Sequence, residues 1–352
     1  MPFEIVRNDI VEMEVDAIVN TANPQPTFAQ GSDSAIYRSA GQEQLLQARA
    51  QIGDIKPGSA AVTPGFNLAA KKIIHTVATK WEGGNCGEEF VLEKCYDSVL
   101  KLATDIEAGS IAIPLIATGV YGFPKGLAMR IAIRKIRQFL DDHEMMIYLV
   151  VFDKESVEWS KELYGDIEEY ISDNYVEDQK QEEYKLRGNR FLNRPNGSLN
   201  VPMAPIEPSE PMEPADVPLN VPMAPMERSI EDVVDNLDLT FMEMVFDHAD
   251  RKGLSDVEVQ KRSNLDRKAF SKLKCGTTKN PSKSTALAIC IGLELNLDEA
   301  KDLLSRAGYA FSPCDRRDLI VKYFIERQAY DIYEINVALF EHGESSLGAK
   351  ML

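Results

Sequence analysis

The sequence has few cysteines and histidines and lacks any long apolar run. Its five cysteines are scattered and form no CxxC pair, which argues against a zinc knuckle and a disulfide framework and favours reduced thiols. The four histidines are isolated from one another, so the sequence predicts no metal site. No segment reaches the roughly 18 apolar residues of a membrane-spanning helix, and the first residues have no secretory pattern. We therefore expect a cytoplasmic protein without membrane association.

Charge is abundant but unevenly distributed along the 352 residues. The net charge of −17 counts against nucleic-acid binding by the chain as a whole. Between residues 251 and 283, however, ten Lys and Arg stand against three acidic residues. A local basic segment of this kind predicts an electrostatic contact surface for DNA or for a protein partner.

The residue pattern changes along the chain and divides it into regions. Residues 1–175 contain four short β-branched runs, at 16–20, 72–75, 110–114 and 146–152, that alternate with helix-like stretches. This alternation predicts an α/β sheet covered by helices on both faces. Residues 229–341 have a helical apolar period without strands, and residues 342–352 form a tail. We predict an all-α domain there.

Residues 176–228 separate the two predicted domains. This segment is rich in proline, and residues 199–205 are repeated exactly at 219–225 as LNVPMAP. Proline fixes the backbone and removes hydrogen-bond donors, so a semi-rigid linker is the favoured interpretation. A docking motif for a partner protein is the alternative.

Three segments of the first domain carry polar residues and glycines beside predicted strands: residues 16–23, 31–37 and 114–124. Ligands of open α/β sheets bind beyond the carboxyl ends of strands, and glycine-containing loops expose N–H groups that suit a pyrophosphate. Each part also has a structural explanation. Asp33 can complement a helix dipole, and the asparagines and glycines can serve turns. His75 lies in an apolar run and is expected to be a core histidine.

The first domain resembles a macro domain in residues 16–23, 58–63, 73–77 and 113–122, and the resemblance extends over nearly all of residues 1–175. It implies a three-layer α/β/α fold with a mixed sheet. Such domains bind ADP-ribose, and some hydrolyse ADP-ribose linked to proteins, nucleic acids or acetate. The resemblance implies no cofactor beyond ADP-ribose itself as ligand or product.

The resemblance also implies roles for individual residues. Asp16 would accept the adenine amino group, Phe152 would stack on adenine, and Asn23 would bond the distal ribose. Asp33 would orient or activate a water molecule. The implied catalytic residues are Asn23 and Asp33, and the implied ligand-binding residues are Asp16, Ala17, Ile18, Asn20, Gly31, Ala117, Thr118, Gly119, Val120, Tyr121 and Phe152.

Two departures from the family pattern leave the function open. Of the usual glycine run before the catalytic acid only Gly31 remains, and Tyr37 stands where hydrolytic members often have histidine. An intact Asn23 and Asp33 favour an enzyme. The departures favour a sensor that binds ADP-ribose or an NAD-derived signal without turnover and relays occupancy to the C-terminal module. Another nucleotide is a third hypothesis for the ligand.

The C-terminal region resembles an Xre/Cro-type helix-turn-helix over about residues 240–305. The segment 254–276 has the two-helix layout, and Gly276 ends the second helix. The resemblance implies that this helix enters the DNA major groove with Arg267, Lys268, Ser271 and Lys272. The alternative is a repressor-like bundle for protein contact, whose basic residues form a solvated face. Residues 306–341 exceed the usual repressor length and are expected to supply a homodimer or partner surface.

Overall fold

The computed structural model describes residues 3–28, 31–151, 166–168, 170–171, 239–278 and 280–348. Within these residues, the parts of Met1–Tyr175 and of Thr240–Leu352 form one compact unit. The linker expected at residues 176–228 lies outside the described residues. Among the described helices, none is long and apolar enough to span a bilayer.

The described N-terminal residues contain one sheet with strand order β1-β6-β5-β2-β4-β3. The strands are β1 (Phe3–Arg7), β2 (Ala17–Thr21), β3 (Ala60–Pro64), β4 (Lys72–Thr76), β5 (Ser110–Pro114) and β6 (Met146–Val151). Neighbouring strands are parallel except for β3, which is antiparallel to β4. The predicted mixed α/β sheet is confirmed. β1 and β3 were not predicted, because an acid interrupts the first and alanines with a terminal proline weaken the second.

Helices cover both faces of this sheet. They are α1 (Ser32–Ala40), α2 (Gln42–Ile52), α3 (Glu88–Asp105) and α4 (Lys125–Asp142). Adjacent residues of a strand point to opposite faces. Accordingly, Ile18 of β2 packs with α1 and α2, whereas Val19 packs with α3 and α4. Gly41, with φ of 101°, separates α1 from α2.

The C-terminal region is helical throughout its described elements, as predicted. These are α5 (Phe241–Lys252), α6 (Asp256–Arg262), α7 (Arg267–Lys274), α8 (Lys283–Gly292), α9 (Leu297–Arg306), α10 (Arg316–Glu326) and α11 (Ile332–Glu341). Side-chain caps begin several of them. Ser255 and Asn296 form capping boxes at α6 and α9, and Asp266 accepts a bond from Ala269 N–H at α7.

The turn between α6 and α7 joins the two regions. Asn264, fully buried at a φ of 52°, accepts a hydrogen bond from Phe3 N–H at 2.8 Å. Its amide donates to the carbonyls of Phe3 at 2.9 Å and Leu347 at 3.0 Å. Arg137 of α4 also pairs with Asp331 before α11 at 2.5 Å. One asparagine therefore satisfies backbone groups at the outer edge of β1, where an uncovered strand would otherwise be open to pairing with another chain.

Candidate functional site

A cavity of about 480 Å³ opens at the carboxyl ends of the parallel strands. This volume lies within the range of small-molecule sites. The lining residues come from the loops after β1, β2 and β5, the start of α1 and α4, and the end of β6. They are Asn8, Asp9, Ile10, Thr21, Asn23, Gly31, Ser32, Asp33, Ala35, Pro114, Leu115, Ala117, Thr118, Gly119, Val120, Tyr121, Lys125, Val150 and Val151.

The loop between β5 and α4 forms one wall of the cavity. Within it, Ala117 lies in the left-handed region at φ of 67°, a conformation that is uncommon for alanine. The Phe123 N–H closes the loop onto the Ala117 carbonyl at 3.0 Å, and Gly122 N–H bonds the Gly119 carbonyl at 2.9 Å. The loop is held from outside by Trp81 N–H, which donates to the Tyr121 carbonyl at 2.9 Å. Tight glycine-containing turns of this type form anion-binding concavities.

Asp33 brings a buried carboxylate to the opposite wall. It lies in the first turn of α1, which begins after Gly31 at φ of 94°, and only 3% of the residue is exposed. Its Oδ1 accepts a hydrogen bond from the Asn20 amide at 2.7 Å. Burial, and then the negative charge of Asp33, raise the pKa of the cavity residue Tyr121. A buried carboxylate and a tyrosine with a raised pKa thus line the same cavity.

Behind Asp33 lies a chain of buried polar side chains. The Asn20 amide is 3.2 Å from His75 Nδ1, and His75 Nε2 is 2.9 Å from Thr63 Oγ1. Burial, assisted by the charge of Arg49, lowers the pKa of His75 to about 3. His75 is therefore a neutral core histidine with both ring nitrogens bonded, as the sequence predicts.

Tyr37, the departure from the family pattern, lies beneath the site. It is buried, and its ring centroid is 5.0 Å from that of Phe28. Burial and the charge of Asp33 raise the pKa of Tyr37, whereas Arg49 opposes this rise. The fully buried Arg49 also donates to the carbonyls of Gly53 at 3.0 Å and Asn23 at 3.4 Å. A histidine at this position could carry a positive charge. This chain instead has the neutral side chain of Tyr37 there, close to the positive charge of Arg49.

The structure brings together many of the residues that the resemblance singles out. Asn23, Gly31, Asp33 and residues 117–121 all line the one cavity. Asn23 also donates to the Thr27 carbonyl at 3.3 Å, which ties it to its own loop. Phe152 lies outside the described residues.

Other expected ligand residues lie elsewhere, which corrects the sequence interpretation. Asp16 precedes β2 and is therefore at the amino edge of the sheet, where it binds Lys71 Nζ at 2.6 Å and Gly109 N–H at 2.9 Å. Ala17 and Ile18 are fully buried in the sheet core. Asn20 is also fully buried and contacts Asp33 from behind the cavity wall.

The residues that follow β1 belong to the site and were not predicted from the sequence. Asn8, Asp9 and Ile10 line the cavity, and Asp9 accepts a bond from Val11 N–H at 3.1 Å. Asp9 supplies the carboxylate at the carboxyl edge that was expected from Asp16. The alternation of residues 3–7 followed by an Asn-Asp turn was the available signal. Lys125, at the start of α4, is a further missed cavity residue.

The basic residues predicted for nucleic-acid contact lie on one helix. Arg267, Lys268, Ser271 and Lys272 are exposed on α7, whereas Phe270 and Leu273 are buried. Acidic groups of the first region are close, since Arg267 is 3.8 Å from Glu144. Among the described residues, no cluster of three or more His, Cys, Asp or Glu could hold a metal ion.

Known proteins place the first region in a family. The family model described as Macro domain matches residues 19–132. A macro domain-containing protein of Methanosarcina mazei is 44% identical over 154 residues, which cover 43% of this chain and 82% of that protein. The O-acetyl-ADP-ribose deacetylase of Salmonella gallinarum is 40% identical over 159 residues, covering 44% and 88%. A structure of the Oceanobacillus iheyensis macrodomain with ADP has 34% identity and a TM-score of 0.43, covering 47% and 92%. The chain belongs to the macro domain family.

Proposed function

We propose that the chain binds ADP-ribose in the cavity and hydrolyses ADP-ribosyl esters, with O-acetyl-ADP-ribose as the first substrate to test. The observation that carries the proposal is Asp33, a buried carboxylate that lines a nucleotide-sized cavity together with Asn23 and the 117–121 loop. The Salmonella gallinarum relative, an O-acetyl-ADP-ribose deacetylase, supports the choice of substrate.

The cavity divides into parts that suit the parts of ADP-ribose. Asp9 and the apolar Val150 and Val151 lie at the end formed by β1 and β6, where they suit adenine. The 117–121 loop suits the diphosphate, because its backbone curves tightly around Gly119. Asn23 and Asp33 then face the distal ribose and the bond to be broken.

In the proposed reaction, Asp33 takes a proton from a bound water molecule while the oxygen of that water attacks the acyl carbon. The acyl–oxygen bond breaks, and Asp33 returns its proton to the leaving ribose oxygen. ADP-ribose and acetic acid are released, and the acid ionises to acetate in solution. General-base assistance of this kind contributes roughly 100- to 10,000-fold to a rate. Asn23 would hold the ribose so that the ester lies beside the carboxylate.

The test uses the full-length protein, because the helical region covers the edge of β1. ADP-ribose is titrated calorimetrically, and the protein is then incubated with O-acetyl-ADP-ribose while free ADP-ribose and acetate are followed. We expect binding and release by the wild type. Asp33→Ala should bind ADP-ribose with similar affinity and lose roughly 100- to 10,000-fold in kcat.

Binding without release would contradict hydrolysis and support the sensor hypothesis, which the buried Tyr37 in place of a histidine favours. Absence of binding would contradict both. Competition with ADP and other nucleotides identifies the case in which a different nucleotide is the ligand.

A second proposal concerns α7, which we propose as a nucleic-acid contact helix. It is supported by the exposure of Arg267, Lys268, Ser271 and Lys272 on one helix that keeps its apolar residues buried. Asp266 caps its first turn, as in a stable recognition helix. The acidic net charge of the chain and the nearby Glu144 favour the alternative of a protein-contact helix.

The α7 proposal predicts DNA binding that weakens steeply with salt. Each of Lys268→Ala and Lys272→Ala should reduce the logarithmic salt slope by about one, since each lysine would neutralise one phosphate. Fluorescence anisotropy with duplex DNA between low and physiological salt measures the slope. Lys301→Ala, on α9, is the matched control and should leave the slope unchanged. Salt-independent or absent binding would favour the protein partner.

A further inference from the structure

Asp33 is the end point of a continuous chain of buried hydrogen bonds. Asn20 and His75 are fully buried and Thr63 is 3% exposed, and these three residues come from β2, β4 and β3. The separations are 2.7 Å from Asn20 to Asp33, 3.2 Å from Asn20 to His75, and 2.9 Å from His75 to Thr63. Adjacent strands thus bring three polar residues into line beneath a single cavity carboxylate.

The chemistry of the groups fixes the direction of each bond. An ionised carboxylate only accepts, so the Asn20 amide must donate to Asp33. The second N–H of the same amide points to His75 Nδ1, which must therefore be the unprotonated nitrogen. His75 Nε2 then carries the proton and donates to Thr63 Oγ1. The lowered pKa of His75 keeps the ring neutral over the whole neutral range, and its two hydrogen bonds select this tautomer.

The Asn20 carbonyl oxygen shows that this arrangement has a cost. Asn20 Oδ1 is buried and has no hydrogen-bond partner among the described residues. An unsatisfied buried acceptor is unfavourable. Turning the amide around would nevertheless place Oδ1 against the Asp33 carboxylate, which is worse. The amide of Asn20 therefore donates both of its N–H groups, one to Asp33 and one to His75.

We infer that Asn20 is a positioning residue: it fixes carboxylate oxygen Oδ1 of Asp33 at the cavity wall, while His75 and Thr63 lock the orientation of its amide. This inference rests on the proposed hydrolysis and replaces the ligand-contacting role expected from the sequence. Asn20 does not line the cavity, so its effect reaches the substrate only through Asp33.

The experiment removes the links of the chain one at a time in the full-length protein. Asn20→Leu, His75→Phe and Thr63→Val keep the approximate volume of each side chain and remove its polar atoms. We expect kcat for O-acetyl-ADP-ribose to fall about 100-fold, about 10-fold and less than about 3-fold, since misplacing a reacting group by 1 Å can cost 100-fold. KM and the Kd for ADP-ribose should change by less than about twofold. His75→Asn, which keeps an acceptor near Nδ1, should retain more activity than His75→Phe.

Asn336→Leu is the matched control. Asn336 is also fully buried and bonds Leu347 N–H at 2.7 Å, but it lies on α11. It should lower the melting temperature without changing kcat. A drop in kcat that merely follows the melting temperature across all variants would overturn the inference. A parallel loss of ADP-ribose affinity in Asn20→Leu would also overturn it, because Asn20 would then contact the ligand.

A second measurement tests the role of Asn20 independently of the proposed hydrolysis. The ¹³C signal of the Asp33 carboxylate is recorded in ligand-free wild type, Asn20→Leu and His75→Phe. If the wild type does not release ADP-ribose, the proposed hydrolysis fails, and this signal still decides the role of Asn20. A shift in both variants supports the chain of hydrogen bonds. An unchanged signal in Asn20→Leu overturns it.

Discussion

Each of the two folded regions buries a carboxylate, but the surroundings of the two groups differ. Asp33 in the first region is 3% exposed, bonds a neutral amide and lines a cavity. Asp318 in the helical region is 1% exposed, pairs with Lys283 and accepts a bond from Ser312 N–H at 2.6 Å. Burial raises the pKa of Asp318, and the lysine opposes that rise. One carboxylate lines a cavity that can hold a ligand, whereas the other forms an ion pair within its own fold.

The same contrast holds for the buried asparagines. Asn20 donates to a cavity residue, whereas Asn264 and Asn336 bond backbone groups of Phe3 and Leu347 and so hold segments together. Burial of a polar side chain alone therefore does not mark a functional site. The distinguishing feature is whether the chain of hydrogen bonds ends at a cavity or at the backbone.

The largest expected effect tests whether the two regions fold as one unit. Asn264→Ala removes three buried hydrogen bonds, two of them to β1. At about 1 kcal/mol for each bond, we expect a loss of about 3 kcal/mol in the free energy of unfolding. Because this side chain links the regions, we also expect the urea transition to become biphasic, with the ADP-ribose affinity unchanged.

Two controls separate the causes of that loss. Asn264→Gly removes the same bonds but suits the positive φ, so it should be about 1 kcal/mol more stable than Asn264→Ala. Asn336→Ala removes bonds within the helical region and should lower the midpoint without splitting the transition. A single, unshifted transition for Asn264→Ala would show that the other contacts, such as Arg137 with Asp331, suffice.

Much of the first region is predictable from local pattern. The β-branched runs and the glycines of residues 114–124 identify the central strands and the loop that lines the cavity. The location of Asp16 away from the cavity could also have been predicted, because Asp16 precedes its strand and ligands bind where strands end. Asp9 was not predicted for the complementary reason: an acid interrupts the apolar pattern of β1, so no strand end was expected before Asp9.

Long-range contacts were beyond sequence reasoning. Asn264 lies in the short α6–α7 turn, and nothing in the local sequence indicates a partner 261 residues away at Phe3. Nor could spacing reveal that Asn20 turns away from the ligand, because its environment depends on His75 in a neighbouring strand. The pairing of β2 with β4 decides the role of Asn20, and the contact of the α6–α7 turn with β1 decides that of Asn264. A single sequence shows neither.

A smaller effect is expected in the pH dependence of stability, to which a buried histidine of each region contributes differently. His75 bonds only neutral groups, and its pKa falls from 6.5 to about 3. Between these two pH values, His75 therefore binds a proton in the unfolded chain but not in the folded protein. The stability that the folded protein has with a neutral His75 is therefore fully present above pH 6.5, and it is lost as the pH falls toward 3. At pH 5 the loss is about 2 kcal/mol of unfolding free energy.

His342 of the helical region differs from His75 in having an acidic partner. Burial lowers the pKa of His342, but Glu168 at 2.9 Å opposes that change. In urea titrations between pH 7 and pH 5, His75→Phe should therefore flatten the pH dependence of stability more than His342→Phe. Equal flattening would mean that Glu168 does not support the charged form of His342. Unaltered pH dependence in His75→Phe would mean that His75 is protonated in the folded protein, and the single tautomer that locks Asn20 against Asp33 would be lost with it.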